Sequence, residues 1–314
     1  MRLSTLVPSI SQEIVTLFEN NGIVTDRDLL FNESALDIYQ KLPREVLTLS
    51  QLRAFIARVT ELLSASGSCS ADLPDIPRLK LLTGVANLDA LTDGFASSQI
   101  VEISGDSASG KTTFALNLAV RYLQVQRDSI ALWIDTRGEF SPERAYRTQA
   151  SMDHEASDVL DRLQVSEAFE IEAVYEVLWA LPMSQQRFGC IFIDSITPLL
   201  GSNLSAVSSQ GHAIMSGFMQ QLRALAQSLS LTVFVINNAT ALRGDDSLSA
   251  FEWTAKKPAL GPSFSFMSDS TLWLSKCHDR DDAAMYTAEM LRSRSTHSST
   301  WTRFRICDGV LKSA

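Results

Sequence analysis

One octapeptide restricts this chain more than any other part of it: Gly105-Asp106-Ser107-Ala108-Ser109-Gly110-Lys111-Thr112. It follows a strand-like run, Gln99-Ile100-Val101-Glu102-Ile103-Ser104, and leads into Thr113-Phe114-Ala115-Leu116-Asn117-Leu118-Ala119, whose pattern is helical. Two glycines flanking Lys-Thr at this spacing, G-x-x-x-x-G-K-[ST], make a loop that holds phosphate. Gly105 and Gly110 let the backbone wrap so that successive N–H groups point inward as an anion nest. The helix opening behind the loop aims its positive end at the same oxygens. Lys111 adds a full charge near β- and γ-phosphates, and Thr112 offers a hydroxyl to Mg²⁺. Residues 105–113 are therefore expected to bind a nucleotide; the alternative is a glycine-rich turn that binds nothing.

The 314 residues suffice for one large domain and a small one, and 45% apolar content is ordinary for a full core. No apolar run approaches the length of about 18 residues that a membrane helix needs, and the N-terminus leads into no signal-peptide pattern. Cys69, Cys190, Cys277 and Cys307 lie far apart without C-x-x-C spacing. They are expected to be reduced thiols, mostly in the core, rather than disulfides or a zinc site. A net charge of −9 argues against a general polyanion binder, so any DNA contact has to be local.

Residues 1–63 are predicted to form a small all-helical unit, with Ser9 and Gln12 as a capping pair, Asn21-Gly22 as a stop, a second helix from Thr25, and a third from Thr48 and Gln51. Residues 64–80 are small and polar, then proline-bearing, which predicts a flexible and then extended linker. Over 81–314 strands and helices alternate. Ser129–Asp135, Cys190–Asp194 and Leu231–Ile236 are apolar runs of the buried parallel kind. Helices are predicted from Ser141-Pro142-Glu143, over Glu170–Leu181 and over His212–Ser228, with a loop at Gly201–Gly211 and a long irregular loop over 239–262. Closing strands are expected near 271–276, 284–293 and 300–307. The predicted class is α/β: a mostly parallel twisted sheet covered on both faces, preceded by a small helical domain.

A phosphate loop that handles nucleotide with Mg²⁺ needs an acid at the end of a buried strand. Asp194, closing Cys190-Ile-Phe-Ile193, fits that role; Asp135 is the rival, one strand over.

These residues carry a resemblance. Leu82-Thr83-Gly84, Leu88-Asp89 and Gly94, with Ile134-Asp135-Thr136-Arg137-Gly138-Glu139-Phe140-Ser141-Pro142-Glu143-Arg144, resemble the eukaryotic RecA-like strand-exchange recombinases. So do Ile193-Asp194-Ser195, Lys256-Lys257-Pro258-Ala259-Leu260-Gly261, Phe304-Arg-Ile-Cys-Asp308-Gly309-Val310, and the helical N-terminal unit with Asn21-Gly22-Ile23-Val24-Thr25. The Lys-Pro-Ala-Leu-Gly stretch followed by Ser263-Phe264-Ser265-Phe266 is most similar to the D-type paralogues of that family. The resemblance implies a RecA-like P-loop core using ATP and Mg²⁺, a part in homologous-recombination repair, and a nuclear location, although no basic cluster looks like an import signal.

Departures from the family pattern qualify that expectation. Active recombinases carry a Glu where this chain has Arg137, and a guanidinium cannot act as a base at neutral pH. Glu139, two residues on, substitutes only if the loop is rearranged. The γ-phosphate-sensing Gln of the family falls at Asn238, and the Asp that caps ATP from a neighbouring subunit falls at Thr254. Arg144 either packs on the adenine, as its counterpart does, or is a surface charge. Binding with weak, or partner- and DNA-stimulated, hydrolysis is expected. The first DNA loop of the family is basic, whereas Gly201–Gly211 holds no Lys or Arg. In the second, Arg243, Lys256 and Lys257 face Asp245, Asp246 and Glu252, with Phe251 and Trp253 either stacking on bases or packing. Lys256 and Lys257 have two further readings, a phosphate contact across a subunit interface and a solvated pair. Single-stranded DNA is expected to bind weakly or only within a complex. The linker carries no Phe-x-x-Ala, the sequence through which recombinases join into homopolymers. Other RecA-like paralogues are therefore the expected partners, with no membrane association and no long homofilament. A self-sufficient strand-exchange ATPase, a small-molecule kinase and an ATP-stabilised scaffold are the alternatives.

Overall fold

The computed structural model describes the chain apart from residues 1, 8, 33, 44–45, 64–79, 153–157, 202–208, 242–255 and 278–282. The chain divides into two compact units, Met1–Ile76 and Pro77–Ala314, so the division falls inside the stretch with linker composition.

The first unit holds helices α1 (Gln12–Asn20), α2 (Ala35–Lys41) and α3 (Leu49–Leu63). Local side-chain chemistry sets two of their starts. Ser34 and Asp37 cap α2 reciprocally. Thr48 does the same for α3: its N–H donates to Gln51 Oε1 at 2.8 Å, and its hydroxyl accepts from Gln51 N at 3.2 Å. Helix α1 differs from expectation, because Ser11 rather than Ser9 precedes it and makes no side-chain cap bond. The helix expected from Thr25 is a single π-helical turn at Asp28–Asn32. The Asp28 carboxylate accepts from Thr25 N at 2.9 Å and the Thr25 hydroxyl at 2.7 Å, which holds the turn closed. Val15, Phe18, Ile38, Leu52, Phe55 and Val59 form the core, with the Phe18 and Phe55 rings 5.1 Å apart.

The second unit opens with β1 (Lys80–Leu81), α4 (Ala86–Thr92) and β2 (Phe95–Ala96), the two strands pairing antiparallel. Asp89 explains the Leu82-Thr83-Gly84 and Leu88-Asp89 pairing: its carboxylate accepts from Thr83 N at 2.7 Å and Gly84 N at 3.1 Å, fixing the turn into α4. Then follow β3 (Ile100–Gly105), α5 (Lys111–Val125), β4 (Ile130–Asp135), α6 (Pro142–Met152), β5 (Leu163–Glu167), α7 (Ile171–Ala180) and β6 (Phe188–Asp194). Next come α8 (Ile196–Gly201), α9 (Ser209–Ser228), β7 (Thr232–Asn237), β8 (Ala239–Ala241), β9 (Lys256–Pro258) and α10 (Pro262–Met267). Strands β10 (Ser270–Lys276), β11 (Met285–Ser293), β12 (Thr300–Cys307) and β13 (Val310–Ser313) close the chain.

Nine strands form one sheet in the order β13-β12-β11-β10-β3-β7-β6-β4-β5. The six from β10 to β5 run parallel, and β11–β13 add an antiparallel meander at one edge. Side chains alternate across the sheet, so the apolar runs serve two cores. On one face Trp133, Phe192 and Phe234 lie in register on β4, β6 and β7 beneath α5. Their rings stack at 5.4 and 4.8 Å between neighbours. On the other, Ile134, Ile193 and Val235 meet α7 and α9.

Several elements depart from the sequence reading. Strand β5 and helix α8 were not anticipated. Residues 239–262 are not a featureless loop, because Ala239–Ala241 pair antiparallel with Lys256–Pro258 and α10 begins at Pro262. Gly201 closes α8, and Ser209–Gly211 already belong to α9. Of the cysteines described, Cys190 is buried but Cys277 and Cys307 are only half-buried; all three are free thiols. Among the described residues no helix is long and apolar enough to cross a membrane, and no group of three His, Cys, Asp or Glu is placed to hold a metal ion by itself.

Candidate functional site

The octapeptide turns between the carboxyl end of β3 and the start of α5. Gly105 is required by contact: a Cβ there would lie 2.3 Å from the Leu274 carbonyl oxygen and 2.5 Å from Ser109 Oγ. Gly110, the residue before α5, has φ +87°, the left-handed region that glycine enters without strain. A Cβ on it would press into Ile306 at 2.7 Å, so the antiparallel meander covers this end of the loop. Asn117 locks α5 to the same meander, donating to the Gly309 carbonyl at 2.7 Å and accepting from Leu311 N at 3.0 Å.

Lys111 Nζ donates to the carbonyls of Gly105 at 2.9 Å and Asp106 at 2.7 Å, its ammonium lying over the loop. Burial lowers its pKa, opposed by the charges of Asp194 and Asp106. Thr112 Oγ1 donates to Asp194 Oδ2 at 2.8 Å. Burial lifts the Asp194 carboxyl above its usual range; the Thr112 hydrogen bond opposes this, and the neighbouring Asp135 charge adds to it.

The two acids differ in what each already holds. Asp135 and Asp194 end adjacent strands in register. Asp135 Oδ1 accepts from Arg137 N and Gly138 N, both at 3.0 Å, and Oδ2 from Phe140 N at 2.7 Å. Its lone pairs are used in shaping the 136–140 turn. Asp194 instead receives the phosphate-loop threonine. Among the described residues Ser109 Oγ is buried without a hydrogen-bond partner, a donor within the loop whose demand an oxygen of a bound anion would meet. The glycine cradle, the orphaned hydroxyl and the Thr112–Asp194 pair together fit a polyphosphate with Mg²⁺.

The other candidates lie as follows. Arg137 Nη2 pairs with Glu139 Oε1 at 2.5 Å, and both side chains are well exposed. The carboxylate that had to substitute for the missing Glu is thus engaged by the very arginine that replaced it. Arg144 is exposed on α6, its N–H capped by Ser141 Oγ at 3.2 Å. Asn238 has its N–H on Thr197 Oγ1 at 2.9 Å and its carbonyl on Ala259 N at 2.7 Å. Lys257 is half-buried on β9, whereas Lys256 pairs with the Asp106 carboxylate and so reaches the phosphate loop of its own chain. Arg243, Phe251, Trp253 and Thr254 lie outside the described residues.

A buried polar cluster behind the loop went unnoticed in the sequence. Glu102, buried in the middle of β3, accepts from Ser104 Oγ at 2.8 Å, Asn237 Nδ2 at 2.7 Å and Thr271 Oγ1 at 2.9 Å. Asn237 also donates to the Ala259 carbonyl at 2.8 Å and accepts from Thr197 Oγ1 at 2.8 Å. A carboxylate inside an otherwise apolar parallel strand was the available signal, since such a group requires partners.

A mostly parallel sheet with a phosphate loop after β3, an antiparallel meander beside it and an acid at the tip of β6 defines a RecA-like fold. The Rad51 family model matches residues 77–295, and the chain belongs to that family. It is 28% identical over 281 residues to the DNA repair protein RAD51 homolog 4 of Bos taurus, covering 86% of this chain and 83% of the relative. It is also 28% identical over 159 residues to the DNA repair and recombination protein RadB of Pyrococcus furiosus, covering 50% of this chain and 67% of the relative. A crystal structure of the RadB recombinase superimposes with a TM-score of 0.61 at 24% identity, covering 74% of this chain and 99% of the other.

Proposed function

We propose that this chain binds ATP with Mg²⁺ and acts in the nucleus as a paralogue subunit of homologous-recombination repair, of the homolog 4 or D type. In this reading it assembles with other RecA-like paralogues and assists recombinase loading on single-stranded DNA. The observation that carries the nucleotide part is the Thr112–Asp194 hydrogen bond beside Lys111, which joins the loop after β3 to the tip of β6, two strands away in the sheet. Lys111 would reach the β- and γ-phosphates, backbone N–H groups of 105–113 would cradle them, and Thr112 and Asp194 would orient the hydrated cation. The metal supplies charge neutralisation on the phosphates. Arg144 would lie against the base.

Support for the repair role comes from the family and from relatives named as repair proteins in cattle, mouse and an archaeon. Support for a subunit rather than a self-sufficient strand-exchange enzyme comes from the Arg137–Glu139 pair, in which the carboxylate that would orient water is already engaged by a guanidinium. The lack of Lys or Arg in 201–211 points the same way. Assembly has a physical opening in β5, which ends the sheet and pairs only with β4 among the described residues. Val165 on β5 and Phe169 just after it are exposed, as is Trp179 on α7, so a partner strand would find both backbone groups and apolar area at this edge.

Calorimetric titration of the full chain with Mg·ATP tests the nucleotide part. Wild type is expected to bind and Lys111→Ala to lose about 2–4 kcal/mol of affinity, the scale of a truncated charge-assisted contact; no binding by the wild type would sink it. Co-purification with candidate paralogues, with and without ATP, tests the assembly, and a stable homopolymer in its place would refute it.

A further inference from the structure

Lys256 opens β9, and its ammonium pairs with the carboxylate of Asp106, the second residue of the phosphate loop. Both side chains are about half exposed, and an ion pair of that kind contributes little to stability. Its position is more informative. The Asp106 carbonyl accepts from Lys111 Nζ at 2.7 Å, so two ammonium groups flank one loop residue. Asp106 is an awkward residue for an anion nest, because its carboxylate repels an incoming polyphosphate. The hydrogen bond from Lys256 and the charge of Lys111 hold that carboxyl below its usual range, so the charge is present at neutral pH.

The backbone carrying Lys256 is fixed to the strand that carries the loop. Lys256–Pro258 pair with Ala239–Ala241, and Ala259 N donates to the Asn238 carbonyl at 2.7 Å. Asn237 links the Ala259 carbonyl to the buried Glu102 of β3. A lysine on an anchored strand keeps a long flexible stem, so its ammonium can exchange one anionic partner for another a few ångströms away.

We propose that Lys256 is a phosphate ligand of its own chain's nucleotide site. Its ammonium leaves Asp106 for the terminal phosphate of a bound nucleoside triphosphate, and the site thereby distinguishes triphosphate from diphosphate. This rests on the reading of residues 105–113 as a nucleotide site. It differs from a solvated lysine, from a DNA contact and from a phosphate contact across a subunit interface, because the contact lies within one chain.

The test titrates the full-length chain with a fluorescent non-hydrolysable ATP analogue and with the matching ADP analogue. Lys256→Ala is expected to weaken the triphosphate about tenfold, the effect of one charge at close range, and to change the diphosphate by less than about twofold. Lys256→Arg should restore most of the difference, and melting curves should coincide. In the Asp106→Asn background the selective loss on Lys256→Ala should persist, because the lysine contacts phosphate rather than merely screening Asp106. Equal losses for both nucleotides, no loss, or disappearance of the effect in that background would each overturn the assignment. A wild-type chain that binds neither analogue would instead remove the nucleotide site on which it rests.

Discussion

Asp194 is a carboxyl that burial makes costly to ionise. Its carboxyl is raised by burial, so between the ordinary carboxylate pKa and the raised one the native state holds more protons than the unfolded chain. Stability contributed at this position therefore falls as pH rises through that window. Asp194→Asn is expected to raise thermal stability at neutral pH by roughly 1 kcal/mol, the scale on which a buried charge is relieved, and to lose that gain below about pH 4. The same substitution should abolish the Mg²⁺ dependence of nucleotide binding; a variant that keeps it in calorimetry would refute the assignment. Arg137 offers the reverse experiment. Replacing it with Glu releases Glu139 and supplies a carboxylate beside the loop, and single-turnover ATP hydrolysis is expected to rise by about tenfold or more. An unchanged rate would show that the neighbouring geometry, and not this side chain alone, limits turnover.

Among the elements, those with local causes were legible in advance. The α3 cap is an instance, since Thr48 and Gln51 satisfy each other within one turn. Thr48→Ala should cost about 1 kcal/mol, read in the melting of the helical unit. The central strands were legible as well, because burial on both faces demands unbroken apolar runs such as Ile191-Phe192-Ile193. Phe192→Ala, which opens the middle of the Trp133–Phe192–Phe234 stack, should cost about 3–5 kcal/mol by chemical denaturation. Strand β5 was missed for the converse reason. Leu163-Gln164-Val165-Ser166-Glu167 lies at the sheet edge, none of its residues is fully buried, and among the described residues only its pairing with β4 makes it a strand. The β8–β9 pair was missed because its two strands are three residues each and lie fourteen residues apart in sequence, too short to carry a period.

For the whole molecule, a net charge of −9 and an open sheet edge set the expected behaviour in solution. The chain should not form a long filament with ATP; light scattering would reveal one. Trp179 is 61% exposed and its ring stacks on Tyr175 at 5.7 Å. Trp179→Glu should therefore leave the melting temperature within about 2 °C while abolishing co-purification with a paralogue. Retained co-purification would move the interface elsewhere. From the residues alone came the glycine-flanked loop between β3 and α5, the acid-tipped strand of Asp194 and the alternation that demands a parallel sheet, because each is written in contiguous chemistry or a fixed period. The folded chain alone decided that Asp135 serves its own turn, that Arg137 occupies Glu139, and that Lys256 meets Asp106. Those pairings join positions whose distance in space depends on strand order and register, quantities that no local pattern of side chains contains.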